Sequence, residues 1–380
     1  MMEPLEILKK LKSQSGSHSP SIETILENIP SLSIKIDACF LSNPYATDLF
    51  MKYLENDLIK TNKLREVLEF YPPQNHDVAN TISKAIKVNP ENLFVGNGAI
   101  EIIQAIIHNF VESTICVTLP TFSSYYEFVK PGINIVHFKL SKENDFEFNP
   151  EKYVKFVIES KADTVAIINP NNPDGGYITR DKMNYIFESL SHLKNIIIDE
   201  SFIHFAYEDV ELSQLSSEEL INKYSNLIIL KSMSKDFGIA GVRAGYAVMS
   251  KPKVDYLLKY GYLWNISGLA NYFFRVYSNP EFISEYHIVR KKYIMNTQMF
   301  MNELIGISGI KVYPSKANFA LIEITNGKNS FDFAMELLLK EGIYVRDCSD
   351  KTGLDGQFIR VASRTFEENL KIIQTLKEVN

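Results

Sequence analysis

Six short apolar, β-branched runs through the middle of the chain limit what it can fold into. They are NLFVGN (92–97), TICVTLP (114–120), TVAIINP (164–170), NIIIDE (195–200), NLIILKS (226–232) and GYAVMS (245–250). Most are apolar throughout rather than alternating, the pattern of strands covered by helices on both faces. Helical periodicity fills the gaps: in EIIQAIIHNF (101–110), Ile102, Ile103, Ile106, Ile107 and Phe110 fall on one face. Such alternation predicts an α/β fold around a mostly parallel sheet. After about residue 275 the texture changes. A long helical segment (284–304), the strand-like ANFALIEI (317–324), another helix and QFIRVAS (357–363) predict a smaller α+β domain. The expected division is an arm over 1–45 that joins the small domain, a large domain over 46–275, and the small domain over 276–380.

A chain of 380 residues can bury both cores. Its net charge of −6, with scattered lysines and arginines, argues against nucleic acid or anionic membrane as a partner. Cys39, Cys116 and Cys348 lie far apart with no CxxC, so neither a disulfide framework nor a metal site is expected. MMEPLEILKKLKSQ at the start reads as a short amphipathic helix without a secretory core. No apolar run approaches the ~20 residues of a membrane span. The expected location is cytoplasmic.

The polar signatures follow the C-terminal ends of the expected strands, the edge where open α/β sheets bind ligands. VGNGAIE (95–101) places Gly96 and Gly98 before a helix whose first amides can cradle a phosphate. It lacks the spacing of a dinucleotide site or a P-loop, and reads equally as a tight turn. In LPTFSSYYEF (119–128), Phe122 and Tyr125 follow a strand, as ring-stacking or core aromatics. INPNNPDGG (168–176) must be turn and loop, and its asparagine amides suit a phenolic oxygen. Asp199 ends IIID (196–199). A carboxylate there is paired or costly, and either holds a proton on a heterocyclic nitrogen or caps a turn.

KSMSKDFGIAGVRAGY (231–246) puts Lys235 at the end of a buried strand and Arg243 eight residues on. Burial and a neighbouring cation would pull the ammonium pKa down, which makes Lys235 a candidate Schiff-base nucleophile. Ser232, Ser234 and Arg243 would form an anion site beside it.

Taken in order, glycine turn, aromatic, Asn-Pro, strand-end Asp, Ser-x-x-Lys and Arg, the chain resembles the fold type I pyridoxal-phosphate enzymes. Within them it is similar to the histidinol-phosphate aminotransferase and threonine-phosphate decarboxylase branch, from about Tyr71 to the C-terminus. The resemblance implies an aspartate-aminotransferase-like fold with a seven-stranded sheet. It implies that Lys235 carries pyridoxal 5'-phosphate, that Asp199 pairs with the pyridine nitrogen, that Asn172 bonds the ring oxygen and that Phe122 stacks on the ring. Gly98, Ala99, Ser232, Ser234 and Arg243 would hold the cofactor phosphate. Tyr71, in EFYPPQ (69–74), would reach that phosphate across a homodimer interface. Arg360, in FIRVASR (358–364), would pair with the substrate carboxylate and Arg346 with the substrate's own phosphate. SQSGSHSP (13–20) would close over it through Ser17 and His18, or else is a loose tail.

Where aminotransferases of the branch carry a tyrosine three residues after the aspartate, this chain has Phe202, as the threonine-phosphate decarboxylases do. That, with the tail VRDCSDKTGLDGQFIRVASRT (345–365), which is also similar to those decarboxylases, favours decarboxylation of a small O-phospho-L-amino acid such as phosphoserine or phosphothreonine. The alternative is amino transfer between glutamate and a phosphorylated keto compound. A non-catalytic relative is disfavoured by the intact Lys235, Asp199, Asn172 and Arg243.

Overall fold

The computed structural model describes residues 3–206 and 215–379. Among them are twelve strands. The first eight are β1 (Ile36–Ala38), β2 (Leu93–Asn97), β3 (Thr114–Leu119), β4 (Asn134–Lys139), β5 (Thr164–Ile168), β6 (Asn195–Asp199), β7 (Leu227–Ser232) and β8 (Ala244–Met249). β9 (Ile310–Val312), β10 (Phe319–Ile324), β11 (Ile343–Asp347) and β12 (Phe358–Ala362) complete the set.

Seven strands form one sheet in the order β2-β8-β7-β6-β5-β3-β4. Pairing from β4 through β7 is parallel, and β8 runs antiparallel to both β7 and β2. Side chains alternate between two apolar layers. Ile196, Ile198 and Ile229 enter a core with the helices Pro44–Leu54, Asn75–Ile86 and Gly268–Tyr277. Ile197, Ile228 and Leu230 enter another beneath the helix Ala99–Phe110. Both faces being covered, the central strands must be apolar at every position, which is the pattern in the sequence.

β4 was not among the expected strands. It is an edge strand whose residues are half-buried or exposed, so NIVHFK lacks a continuous apolar signal.

The second sheet has the order β1-β11-β12-β10-β9. Leu8, Leu11 and Ile25 of the first two helices pack into its core with Ile322, Val345, Ile359 and Leu376. The helix Pro280–Leu304 serves both cores: Phe282 and Tyr286 lie in the large one, Phe300 and Leu304 in the small one. Among the described residues, no helix is long and apolar enough to cross a membrane.

Candidate active site

The C-terminal ends of β5, β6 and β7 converge on a cavity of about 460 Å³, within the roughly 300–1,000 Å³ of small-molecule sites. It lies between the large sheet and the β11–β12 pair. Its walls bring together Ala99, Phe122, Asn172, Asp199, Phe202, Ser232, Ser234, Lys235, Arg243, Arg346 and Arg360, which lie up to 261 positions apart (99 to 360) in the sequence.

Asp199 closes β6 and is buried. The Tyr125 hydroxyl donates to one carboxylate oxygen at 2.8 Å and the Ser201 amide to the other at 2.8 Å. Burial outweighs these bonds and raises its pKa, so the carboxylate is held in place without a cation in contact. A protonated ring nitrogen would supply the missing charge.

Lys235 follows β7 in a turn clamped from outside. The Asn43 amide donates to the Lys235 carbonyl at 2.9 Å, and the Asn43 side chain donates to the Asp236 carbonyl at 3.2 Å. Gly238 in this turn has φ +63°, and a Cβ there would sit 2.3 Å from the Asn43 oxygen. Only glycine fits so close an approach. Burial pulls the Lys235 pKa down to about 8, helped by Arg360 and then Arg243. The sequence expectation was a neighbouring cation such as Arg243; Arg360, distant in sequence, contributes more.

Gly98 caps the helix Ala99–Phe110 at φ +77°, and a Cβ there would meet the Arg243 guanidinium at 2.5 Å. Arg243 therefore lies over the helix N-terminus, where unpaired amides already favour an anion. The Ser234 amide donates to Ser232 Oγ at 3.2 Å, fixing the two serines beside that cradle.

Arg360 donates to Asn172 Oδ1 at 2.6 Å and to the Cys39 carbonyl at 3.0 Å, while its buried Nε has no partner. Accepting from Arg360 orients the Asn172 amide so that its NH2 remains available as a donor. Arg346 and Arg360 are cross-strand partners on β11 and β12, so both point to the same face. Arg346 donates to the Ser17 carbonyl at 2.7 Å and the His18 carbonyl at 3.2 Å, and pairs with Asp350 at 2.7 Å. The His18 ring lies 5.8 Å from that of Phe122. Residues 15–20 are thus a strap across the cavity mouth, and the loose-tail reading is corrected.

Tyr71 does not line the cavity. It is 85% exposed, with its ring 5.5 Å from Trp264. Sequence reasoning left two contributors without a role. Tyr125 sits in a quoted aromatic stretch, but its buried ring reads as core and only its hydroxyl reveals the contact with Asp199. Lys351, also at the cavity wall, lies in the decarboxylase-like tail (345–365) but was given no role of its own.

The site suits a planar cofactor with a basic ring nitrogen at one end and a phosphate at the other. Asp199, Lys235 and Arg243 all border the cavity, where Asp199 would meet the ring nitrogen and the Gly98–Arg243 cradle the phosphate.

The chain is similar to known proteins in both sequence and fold. The chain is 56% identical over 372 residues to an L-serine phosphate decarboxylase of Campylobacter jejuni, covering 98% of this chain and 95% of that protein. The solved structure of a decarboxylase from Sulfurospirillum multivorans superposes with a TM-score of 0.93 at 45% identity, covering 99% of this chain and 95% of that one. A histidinol-phosphate aminotransferase of Methanococcus aeolicus is 33% identical, over 84% of this chain and 85% of its own length. The profile of the family described as aminotransferase class I and II matches residues 45–376, and the chain belongs to that family.

Proposed function

We propose that the chain is a pyridoxal-phosphate-dependent decarboxylase of O-phospho-L-serine, releasing CO2 and O-phosphoethanolamine. The observation that carries this reading is the register pairing of Arg346 with Arg360 on one face, above Lys235 and Asp199. Two guanidinium groups so placed grip a short molecule with an anion at each end. Likeness to the L-serine phosphate decarboxylases selects the bond that breaks.

Bound pyridoxal phosphate supplies an electron sink for the pair left when a bond at the substrate Cα is cleaved. Its phosphate would lie on the Ala99 amide, Ser232, Ser234 and Arg243, its ring against Phe122, and its ring nitrogen on Asp199. Asn172, whose Oδ1 accepts from Arg360, would offer its NH2 to the ring oxygen. Phe202 is buried edge-on to Phe319 at 5.3 Å and offers that oxygen no second donor.

With its pKa near 8, a usable fraction of Lys235 is the neutral amine at neutral pH. Arg360 holds the carboxylate end of the substrate while Arg346 holds the phosphate. Held at both ends, the substrate would have its Cα fixed between the two guanidinium groups, and release of CO2 would remove one anion from Arg360. Lys235 Nζ, in the ammonium form that a pKa near 8 also keeps populated, would then deliver the proton that takes the carboxylate's place on Cα and be left as the neutral amine. Buried walls around Cα keep water from competing for that proton donor.

The test is incubation with O-phospho-L-serine in the absence of any keto acid. Equal amounts of CO2 and O-phosphoethanolamine are expected over many turnovers. A single turnover that ends in phosphohydroxypyruvate would assign the chain to amino transfer instead.

We also infer a homodimer. Leu68, Phe70, Tyr71, Leu263 and Trp264 expose large apolar side chains, with the Tyr71 and Trp264 rings 5.5 Å apart, and the adjoining Asn265 donates to Glu101 of the helix Ala99–Phe110 at 2.8 Å. Contiguous exposed patches of this kind mark protein contacts. A second copy docked there would bring its own Tyr71 toward the cradle. Sedimentation should give twice the chain mass, and a monomer at assay concentration would refute the docking.

A further inference from the structure

At the outer end of the cavity Lys351 stands beside Arg346. Its ammonium donates to the Ser17 carbonyl oxygen at 2.9 Å, and Arg346 donates to the same oxygen at 2.7 Å. Two buried cations thus converge on one neutral acceptor. Nearby carboxylates are otherwise engaged. Asp350 is shared between Arg346 and Lys12, each at 2.7 Å. Asp347 turns to Ser330 Oγ at 2.8 Å and Ser349 Oγ at 2.6 Å. Among the described residues, no carboxylate lies within ion-pair distance of Lys351. Burial, with Arg346 adding, holds its pKa down at about 8, although Asp350, beyond contact distance, acts in the opposite direction. A phosphate monoester carries about −1.5 to −2 near neutrality and has three strong acceptor oxygens. One of these at the position of the Ser17 carbonyl would satisfy both cations. The strap need not leave, because Ser17 Oγ also bonds Ser123 Oγ at 2.8 Å and Arg346 also holds the His18 carbonyl.

We propose that Lys351 determines specificity for the phosphate of the substrate, turning from the Ser17 carbonyl to a phosphate oxygen so that it and Arg346 hold the dianion together. This rests on the phosphoserine reading of the same site. Amino acids whose side chains end in a neutral group leave Lys351 without an anion and are rejected.

The test uses pyridoxal-phosphate-loaded protein and two readouts: calorimetric binding of O-phosphoethanolamine, which has the phosphate but no carboxylate, and steady-state kinetics with O-phospho-L-serine. Lys351→Met should weaken O-phosphoethanolamine about 10–100-fold, the worth of a hydrogen bond to a charged group. KM should rise by a similar factor while kcat stays within about threefold. Lys351→Arg should recover most of the loss, which a role in tethering Ser17 alone would not require of the ligand affinity. Unchanged binding by Lys351→Met overturns the proposal, as does a wild type that fails to bind O-phosphoethanolamine. A wild type that binds it in a Lys351-dependent way yet releases no CO2 upholds Lys351 and removes the decarboxylase reading alone.

Discussion

Lys235→Ala is expected to abolish turnover of O-phospho-L-serine, by about 10⁴-fold or more, with little change in folding. Proton transfer by a positioned side chain alone contributes about 10²–10⁴-fold, and the same amine is the group that joins the cofactor. The fold should tolerate the change because the clamp on this turn acts on the main chain: Asn43 and Gly238 donate to the Lys235 carbonyl, which alanine retains. Removing the ammonium also relieves its repulsion with Arg360 and Arg243. Thermal unfolding without cofactor should therefore match the wild type, and activity within about tenfold of it would remove Lys235 from the chemistry.

Asp236→Asn should act the other way round, on stability first. Behind the active-site turn, Asp236 pairs with Lys231 at 2.7 Å and with His204 at 3.0 Å, all three side chains being buried. The two neighbours hold the aspartate pKa down at about 2, while burial and Lys231 hold His204 down at about 4. Removing the acid leaves Lys231 charged in the core, a loss of about 3–5 kcal/mol. Urea unfolding of the cofactor-free protein measures it, and a shift below about 1 kcal/mol would mean that Lys231 finds another anion. Lys231→Met should cost less, because His204 can then take up a proton and pair with Asp236. A histidine pKa raised by that change makes the variant's deficit smaller at pH 6 than at pH 8.

The site was legible from the sequence because its polar residues stand where apolar strands stop. Asp199, Lys235 and Asn172 each follow a run that could only be a buried strand, and a single sheet edge gathers them. What escaped has physical reasons. β1 and β9 are three residues long, too short for a period to show. β11, IYVRD, is buried at every position although it ends on two charged residues, so it does not read as a strand. Its register with β12 is a tertiary fact that sets Arg346 opposite Arg360.

Lys351 lies in a turn whose sequence, CSDKTG, carries no periodicity, and only the folded strap gives it a neighbour. The strap itself, rich in Ser and Gly, has the composition of a flexible tail. It is ordered here because Arg346 and Lys351 spend buried donors on its carbonyls.

The central claim is a covalent one, and mass spectrometry tests it most directly. Reduction of the cofactor-loaded protein with borohydride, followed by digestion, should place the pyridoxyl-phosphate mass on the peptide that contains Lys235. Neither Lys231 nor Lys351, the neighbouring buried lysines, should carry it. A label on either of them, or a cofactor recovered wholly unattached after reduction, would contradict the assignment.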